Sequence, residues 1–423
     1  MRHQRWSLGL AALVTALILG WAWGQTVPPA PPAPPATAPA GPAIVRSAAH
    51  ASNQFMVDLY KKLSAEKGNV FFSPYSVASA LTLAERGARR NTAGEMATVL
   101  HLPPDSAELG RAYASLVADL QADVGTKGYQ LTVANAIWPQ QGEPVQKAFL
   151  DDALRNFQGT AQPLDFISAP DASRTTINDW VAKKTNDKIK DLLPAGSVNA
   201  YTRMIIANAV YFKGNWAAKF DRAGTERDAF HVTPDKSVQA ELMHQKKHYN
   251  YTTDGRCQAL ELLYKGGDVG MVILLPVKTD HDASKLEAAL TLPYVSEVLG
   301  RLADQEVELT MPKWKLNCFY DLSPTLQQMG MKEAFTQEAD FSGINGRKDL
   351  YIGMVAHKTF IEVNEESTEA AAATGVEMMT LGVHVGAPQP IRFVADRPFI
   401  YFIYHRVKKT VLFMGRMYDP TAG

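Results

Sequence analysis

The feature that most constrains the fold is an uninterrupted run of about 375 residues, 47–423, in which hydrophobic, polar and charged residues are mixed throughout. No proline-, glycine- or serine-rich linker divides this run. Because domain boundaries fall in such linkers, the sequence predicts one large domain. A length prior of about 150 residues per domain would instead give two or three.

The first 46 residues are expected to lie outside that domain. Residues 1–24 combine a positive start, a short apolar stretch and a small-residue cleavage site, as a signal peptide does. The alternative is an uncleaved membrane anchor, but Leu8–Trp23 is shorter than the ~20 apolar residues of a spanning helix. Residues 25–46 are rich in proline and alanine and predict an extended spacer. We therefore expect export to the periplasm, the cell surface or the extracellular space.

Charge and cysteine content narrow the function classes. Without residues 1–24 the chain keeps 41 basic residues against 43 acidic ones, so nothing favours nucleic acid or an anionic membrane as the partner. Cys257 and Cys318 could pair in an oxidising compartment. Two cysteines in so long a chain are expected to be buried and independent instead. The fold must then rest on its hydrophobic core.

Helix signals dominate the first half of the chain. Ser73-Pro74 predicts a helix start, because a capping residue precedes proline at the first helical position. Thr92 and Glu95 have the spacing of a capping box, and the helix that they open is expected to end at Leu102. A further amphipathic helix is predicted within Ser173–Lys190.

Strand signals dominate the second half. Met204–Phe212 is a run of β-forming apolar residues, typical of a strand buried on both faces and interrupted only by Asn208. Met271–Leu275 has the same character. Phe399–His405 and Thr410–Met417 flank a polar tetrapeptide, which predicts a terminal hairpin. Together these signals predict an α+β domain with large sheets.

The sequence carries no local motif of enzyme chemistry. It lacks the G-x-S-x-G elbow, the G-x-x-x-x-G-K-[ST] phosphate loop and the H-E-x-x-H zinc helix. His244 and His248 have the spacing of metal ligands on a helix, but Met243–Tyr251 is typical of a strand, where four residues span ~13 Å. We therefore expect no metal and no other cofactor.

The most informative segment is Glu365–Leu381, EESTEAAAATGVEMMTL. In a strand, Glu369 and Glu377 would share one side, and the other side would carry small and apolar residues: Thr368, Ala370, Ala372, Thr374, Val376 and Met378. Such a strand could enter a sheet while its carboxylates face water. A surface helix is the alternative, because consecutive alanines favour helix and Ser367 or Thr368 could cap it.

Glycine and proline shift the balance between these alternatives. Gly375, Gly382 and Gly386, followed by Pro388 and Pro390, break regular structure from the middle of the segment onwards. Its C-terminal half is therefore predicted to be an exposed, mobile loop, the kind of site where proteases cut.

Several segments resemble signatures of the serpin family and occur in serpin order. They are Asn69–Leu83 (NVFFSPYSVASALTL), Ile205–Trp216 (IIANAVYFKGNW), Phe360–Gly375 (FIEVNEESTEAAAATG) and the C-terminal FVADRPFIYFI and LFMGRMYDP. The resemblance extends from Ser47 to Pro420. It implies the serpin fold, with three β-sheets, eight to nine helices and an exposed reactive-centre loop at about 365–390 above the main sheet.

The resemblance also implies a protease inhibitor and not an enzyme. In serpins a serine protease attacks the loop and forms an acyl-enzyme, and the freed loop then inserts into the main sheet as a new strand. A strand of about 15 residues is ~50 Å long, so the protease is carried to the far end of the domain and distorted before it can hydrolyse the ester. This irreversible inhibition is driven by a native fold that is not the most stable one. The expected partner is a target protease, serine or cysteine, bound covalently to a monomeric inhibitor.

Matched position by position, the hinge of the loop comprises Glu365, Ser367, Thr368, Glu369, Ala370, Ala371, Ala372, Ala373 and Thr374. Glu365 matches its start and Thr368 the residue that inserts first. The alanines match the small residues of inhibitory members. Ser367 departs from the glycine usual in the family, and we expect this change to slow insertion without preventing it.

The usual inhibitory spacing, thirteen residues on from Thr368, places the reactive bond at Leu381-Gly382. Leucine there suits chymotrypsin-, elastase- or subtilisin-like proteases with an apolar specificity pocket. The loop is a few residues longer than in many members, so cleavage after a neighbouring residue stays open: Met379, Thr380 or His384. No arginine or lysine lies within 365–390, which argues against a trypsin-like target.

Two further sets match serpin control points. The shutter, beneath the sheet, comprises polar residues: Ser73, Ser76, Asn208 and His357. A buried asparagine in an apolar strand requires hydrogen-bond partners, although each residue alone could be a cap or a satisfied core residue. The breach, at the top of the sheet, comprises Trp216, Lys313 and Glu365, where an acid and a base pair at the entry point. Without the resemblance they would be a core tryptophan and solvated charges.

Two other function classes compete with inhibition. A non-inhibitory serpin, acting as a carrier or chaperone, would share the fold but usually has bulky or charged residues where Ala370–Ala373 lie. A secreted hydrolase would have to turn over a small ester or peptide substrate. The small hinge residues favour the inhibitor.

Overall fold

A computed structural model describes residues 42–103, 110–113, 115, 128–142, 144–157, 159–277, 283–366 and 389–422. The predicted signal peptide and most of the spacer lie outside these ranges. So do the hinge from Ser367 to Thr374 and the reactive bond Leu381-Gly382. Within the described ranges, no helix has the length and apolar composition needed to cross a membrane.

The described helices span, in chain order, Pro42–Leu63 (α1), Pro74–Gly87 (α2), Arg90–Val99 (α3), Lys147–Phe157 (α4), Pro170–Lys184 (α5), Ser284–Ala289 (α6), Leu292–Arg301 (α7), Ser323–Met329 (α8) and Ser342–Asn345 (α9). Short 3-10 turns lie at Arg222–Gly224 and Glu333–Phe335. Helix α1 begins at Pro42 and so includes the last residues of the predicted spacer.

The start of α2 agrees with the sequence prediction. Ser73 is the N-cap, its hydroxyl accepts a hydrogen bond from the backbone N–H of Ser76, and Pro74 occupies the first helical position. Because the cap satisfies an N–H that the first turn leaves unpaired, it fixes where the helix begins.

The predicted capping box of α3 is wrong. The helix begins at Arg90 without a side-chain cap and ends at Val99, before Leu102. Thr92 instead donates to a carboxylate oxygen of Glu333 at 2.6 Å, and Glu95 accepts from the backbone N–H groups of Lys332 and Glu333. The two side chains therefore bind a neighbouring turn and not the start of their own helix.

Helix α5 lies earlier than predicted. It spans Pro170–Lys184 and not Ser173–Lys190. Asn186 and Asp187 have φ angles of 50° and 58°, and this left-handed backbone cannot continue a right-handed helix.

The strands span Val70–Phe72 (β1), Tyr129–Pro139 (β2), Thr160–Ala161 (β3), Met204–Gly214 (β4), Glu226–Thr233 (β5), Lys236–Thr253 (β6), Cys257–Leu263 (β7), Val269–Pro276 (β8), Ala303–Pro312 (β9), Trp314–Asp321 (β10), Met354–Val363 (β11), Ile391–Val394 (β12), Phe399–His405 (β13) and Thr410–Met417 (β14). The two strands of the predicted terminal hairpin are confirmed residue for residue, and they pair antiparallel.

The described strands form two hydrogen-bonded sheets. One sheet has the order β10-β11-β4-β2-β3, and the other has the order β1-β14-β13-β8-β7-β6-β9-β12 with β5 also paired to β6. The long strand β6 pairs with β9 over Leu242–Tyr251 and with β7 over Asn250–Thr253. It thereby joins two groups of strands that the expectation of three sheets counts separately.

Strand β4 is buried on both faces, as its apolar run predicts. On one face Ile206 and Val210 belong to the main core, and on the other Ile205 and Ala207 pack in a second cluster against Ile177 of α5. This arrangement places β4 in the middle of the five-stranded sheet with a helix across it, as expected of a strand with no polar face.

The two cysteines are unpaired with each other, and the two candidate histidines form hydrogen bonds to neighbouring side chains. Cys257 in β7 and Cys318 in β10 are free thiols in different sheets; Cys257 is buried and Cys318 partly exposed. The histidines lie on β6, where His244 bonds to Thr310 and His248 to Asp304, both at 2.9 Å. Across the part of the chain that the structure describes, no three His, Cys, Asp or Glu side chains come close enough to hold a metal ion.

Candidate functional site

A row of polar side chains crosses the five-stranded sheet. Strand pairing places Tyr320 of β10 opposite His357 of β11 and His357 opposite Asn208 of β4. Asn208 in turn lies opposite Asn135 of β2. Asn135, Asn208 and His357 are 3%, 1% and 0% exposed. The row is therefore a polar seam through an otherwise apolar interior.

The hydrogen bonds of this seam have a defined direction. His357 Nε2 accepts from the backbone N–H of Ser73 at 3.1 Å, so the ring proton sits on Nδ1, which donates to Asn208 Oδ1 at 2.5 Å. Asn208 Nδ2 then donates to Ser76 Oγ and to Asn135 Oδ1, both at 2.5 Å. These contacts give the buried Asn208 amide the partners that its position requires.

Ser73 ties the seam to two other elements. It caps helix α2, and its hydroxyl donates to the carbonyl oxygen of Leu412 in β14 at 2.7 Å. The cluster therefore connects the five-stranded sheet, the start of α2 and the nine-stranded sheet.

The four residues assigned to the shutter thus lie in one cluster, which also has members that the sequence did not predict. Asn135, Ser79 and Tyr320 also belong to it; Asn135 donates to Ser79 Oγ at 3.4 Å, and Tyr320 accepts from the backbone N–H of Phe71 at 3.2 Å. A signal for Asn135 was present, because it stands in the tripeptide Ala-Asn-Ala, as Asn208 does.

Burial governs the protonation of His357. Desolvation lowers the pKa of His357 to about 3, against about 6.5 for an unperturbed histidine. The ring is therefore neutral at physiological pH, as an acceptor of the Ser73 N–H must be.

This depressed pKa predicts a loss of stability in acid. As the pH falls below about 6.5, the unfolded chain gains a proton at His357 that the folded chain refuses, so the free energy of unfolding drops, by about 2 kcal/mol between pH 7 and pH 5. Glutamine can accept and donate in the same two directions without titrating. Urea unfolding at a series of pH values should show this loss in the wild type, and His357→Gln should lack it. Parallel pH profiles of the two proteins would contradict the assignment.

The pairing of β4 with β11 stops before the two strands do. They are parallel neighbours, paired from Ile205/Met354 to Tyr211/Phe360. Beyond that point residues 212–214 of β4 still pair with β2, and residues 361–363 of β11 still pair with β10. The sheet is therefore open between β4 and β11, at the end from which the chain leaves towards residues 367–388.

Two contacts to the backbone span this open end. The indole N–H of Trp216, just after β4, donates to the carbonyl oxygen of Asn364, just after β11, at 2.9 Å. The backbone N–H of Phe220 donates to the carbonyl oxygen of Glu365, also at 2.9 Å. Trp216 is itself held by Tyr264, whose ring stacks on it with centroids 4.6 Å apart.

The Glu365 side chain is the centre of the third contact. Its Oε1 lies 2.8 Å from the hydroxyl of Thr225 and 3.2 Å from Lys313 Nζ, and Lys313 also lies 3.4 Å from Glu241. Burial alone would raise the pKa of Glu365, but hydrogen bonds from its own backbone N–H, from Thr225 and from Lys313 hold this pKa below its usual value. The carboxylate is therefore charged at neutral pH. The structure thus brings the breach residues together, and Thr225 is a further member that the sequence did not predict.

The fold and these two clusters define an α+β protein of the serpin class. A solved structure, Serpin48 of Tenebrio molitor, described as a highly specific serpin of that insect, matches with a TM-score of 0.78 and 31% identity over 88% of this chain and 98% of its own. A family model described as Serpin (serine protease inhibitor) matches residues 50–420. The chain belongs to the serpin family, which confirms the predicted family and fold class.

Curated relatives cover nearly the same region. An uncharacterized serpin-like protein of Thermococcus kodakarensis is 39% identical over 378 residues, 89% of this chain and 87% of its own. A leukocyte elastase inhibitor of Bos taurus is 38% identical over 381 residues, 88% of this chain and 98% of its own. Serpins are in general protease inhibitors, and the second relative is named as one.

Proposed function

We propose that this chain is an irreversible suicide inhibitor of serine proteases, with cysteine proteases as a further target class. Its loop, once cleaved at Leu381-Gly382, enters the five-stranded sheet between β4 and β11. The observation that carries this proposal is the open end between those two strands, where side-chain contacts and the hydrogen bond from Phe220 N–H to Glu365 O, in place of ladder pairing, close a gap inside the sheet.

Strand direction fixes how the loop enters. β4 and β11 run parallel, and a strand that follows β11 directly and lies beside it must run antiparallel to it. The inserted strand is therefore antiparallel to both neighbours, and each backbone N–H and C=O gains a partner on one side or the other.

Strand length fixes how far the protease travels. β4 has 11 residues, so a strand that starts at Thr368 remains paired to about Met378 and spans ~36 Å. Leu381 lies just beyond this strand. The acyl-enzyme would therefore end at the opposite end of the sheet from the point of attack.

The polar seam stands across the path of the loop. Separating β4 from β11 breaks the pairing from Ile205/Met354 to Tyr211/Phe360 and the hydrogen bond from His357 to Asn208. We infer that this cluster and the breach together set the barrier to insertion, which must be low enough for insertion to outrun hydrolysis of the ester.

Export is part of the same proposal. Its support is the pattern of residues 1–24, with a spacer at 25–46 between the cleavage site and the domain. Fractionation of the host cells tests this point, and confinement of the protein to the cytoplasm would contradict it. The N-terminal residue of the exported protein shows in addition whether residues 1–24 are cleaved off.

The loop sequence predicts which proteases are trapped. Chymotrypsin-, elastase- and subtilisin-type enzymes should form an adduct that resists denaturant, and trypsin should not, because no arginine or lysine lies within 365–390. Mass spectrometry of the released C-terminal fragment should place its first residue at Gly382.

A matched variant controls this assignment. Leu381→Arg should transfer adduct formation from the apolar-directed enzymes to trypsin, since the pocket that accepts the residue before the bond sets specificity. Rapid cleavage across the whole panel without any adduct would contradict inhibition and favour a non-inhibitory serpin. Turnover of a small ester would favour a hydrolase.

A further inference from the structure

A second ion pair lies beside the contact of Lys313 with Glu365. Arg222 Nη2 is 3.1 Å from Glu366 Oε1. Arg222 begins the 3-10 turn in the connection from β4 to β5, and Glu366 is the last described residue before the loop. The pair therefore joins the proximal end of the loop to the segment that follows β4.

The two partners of this pair differ in burial. The Arg222 side chain is 67% exposed, whereas that of Glu366 is only 19% exposed. Glu366 Oε2 is buried and has no hydrogen-bond partner in the described part of the chain. Arg222 is the cation that the described part of the chain places against this carboxylate, and solvent screens the pair from the exposed Arg222 side.

Insertion requires this pair to change. The backbone N–H of Phe220 holds the carbonyl oxygen of Glu365, and Arg222 holds the next side chain, so both contacts fix the chain on its way out of the sheet. A strand antiparallel to β11 requires the chain to reverse within residues 364–367. This reversal moves Glu366 away from Arg222, so the ion pair between them has to break.

We propose that Arg222 is a salt-sensitive clamp that slows entry of the loop into the five-stranded sheet. This inference rests on the proposed function and adds a positioning residue to it. Arg222 touches neither the reactive bond nor the protease. Through Glu366 it joins the segment after β4 to the segment after β11, so it resists both the reversal of the chain and the parting of these two strands that any inserting strand requires. By slowing insertion, it favours hydrolysis of the ester over trapping of the protease.

The chain supplies a matched control at the distal end of the loop. Arg392 of β12 is 76% exposed and lies 4.0 Å from Glu308 of β9. Both residues follow the reactive bond or lie in the other sheet, so insertion of the cleaved proximal segment leaves this pair in place. Arg392→Ala therefore removes a similar exposed cation without touching the reversal.

The test measures insertion with and without a protease. A synthetic peptide that copies Thr368–Met379 is incubated with the intact protein, and its uptake into the β4–β11 gap is followed on native gels at 50 mM and 500 mM NaCl. In parallel, the number of inhibitor molecules consumed per chymotrypsin trapped is measured. At 50 mM NaCl, Arg222→Ala should take up the peptide about two- to five-fold faster than the wild type, the range expected for an exposed ion pair.

Salt and charge reversal separate the clamp from a merely structural role. At 500 mM NaCl the wild type should approach Arg222→Ala, because the pair is screened. Arg222→Glu combined with Glu366→Arg should restore the wild-type rate, and Arg392→Ala should match the wild type throughout. Arg222→Ala should also consume fewer inhibitor molecules per enzyme trapped.

The outcomes distinguish the clamp from the function on which it rests. Equal uptake rates of wild type and Arg222→Ala, or a charge reversal that fails to restore the rate, overturn the clamp while leaving inhibition intact. If no variant takes up peptide but adducts form, the number of inhibitor molecules consumed per enzyme trapped is the deciding measurement. Equal numbers for wild type and Arg222→Ala then overturn the clamp. If neither peptide uptake nor an adduct is seen, there is no insertion to control, and both proposals fall.

Discussion

Cleavage of one bond within residues 379–385 is expected to raise the melting temperature of the protein by roughly 5–20 °C. The 11 residues of β4 and the 10 of β11 offer edges to a new strand along most of their length. That strand makes roughly ten more backbone hydrogen bonds than the pairing it replaces, each worth about 0.5–1.5 kcal/mol net. In a domain of this size each kcal/mol raises the melting temperature by somewhat more than about 1 °C.

Calorimetry of intact and nicked protein measures this effect. A metalloprotease is the suitable nicking enzyme, because it attacks with water and forms no acyl-enzyme that could be trapped. The control is Thr368→Arg nicked in the same way, in which the strand is expected to stay outside the sheet and the melting temperature to stay unchanged. If nicked and intact wild type melt alike, the fold stores no energy for insertion and the proposed function is wrong.

Such stored energy is consistent with the way the sheet is built around β4 and β11. The backbone groups at the open end lack the ladder pairing that their neighbours have, and side-chain bonds together with one backbone hydrogen bond replace it. A central gap of this kind is the opposite of an idealised sheet, in which every strand pairs to its end. Insertion would remove this departure and leave a fully paired sheet.

The strands could be predicted from the sequence because their signals are local. The apolar run of β4 predicted burial on both faces, and the structure explains it by the main core on one side and α5 on the other. The hairpin of β13 and β14 was predicted to the residue, because two largely apolar runs and the polar turn between them lie next to each other in the chain.

Helix boundaries were harder because side chains can serve distant partners. Thr92 and Glu95 have capping-box spacing, yet they bind the turn around Glu333, more than two hundred residues away. The end of α5 depends on Asn186 and Asp187, whose residue types adopt left-handed backbone more readily than most, a local signal that the predicted end at Lys190 did not use. Tertiary contacts thus displaced the predicted capping box of α3, and backbone conformation ended α5 before its predicted end.

The candidate site was partly predictable, because some of its residues carry a local signal and others depend on non-local pairing. Asn208 in an apolar strand signalled buried partners, but only strand register shows that they are His357 and Asn135. The open end between β4 and β11 depends on where a non-local pairing stops. No residue pattern encodes that point by itself, which is why Arg222 and Thr225 were missed.

Replacing Thr368 or Ala370 with arginine is expected to turn the inhibitor into a substrate. Strand alternation places both residues on the side of the inserted strand that faces the core, and a guanidinium there would have to be buried without a partner. A penalty of about 3 kcal/mol or more slows insertion at least about 100-fold, while hydrolysis of the ester is unaffected. Each variant should be cleaved rapidly at the wild-type bond, and its adduct with chymotrypsin should fall below detection on denaturing gels.

Glu369→Arg is the matched control, because it places the same side chain one residue away on the face that alternation assigns to water. Its adduct yield should fall no more than a few-fold, since repulsion from the exposed Lys315 beside Phe360 is screened by solvent. Equal losses in Thr368→Arg and Glu369→Arg would mean that the segment does not enter the sheet as an alternating strand. Full adduct yield in Thr368→Arg and Ala370→Arg would mean that it does not enter the sheet at all, because no inserted strand could hold those charges on its buried side.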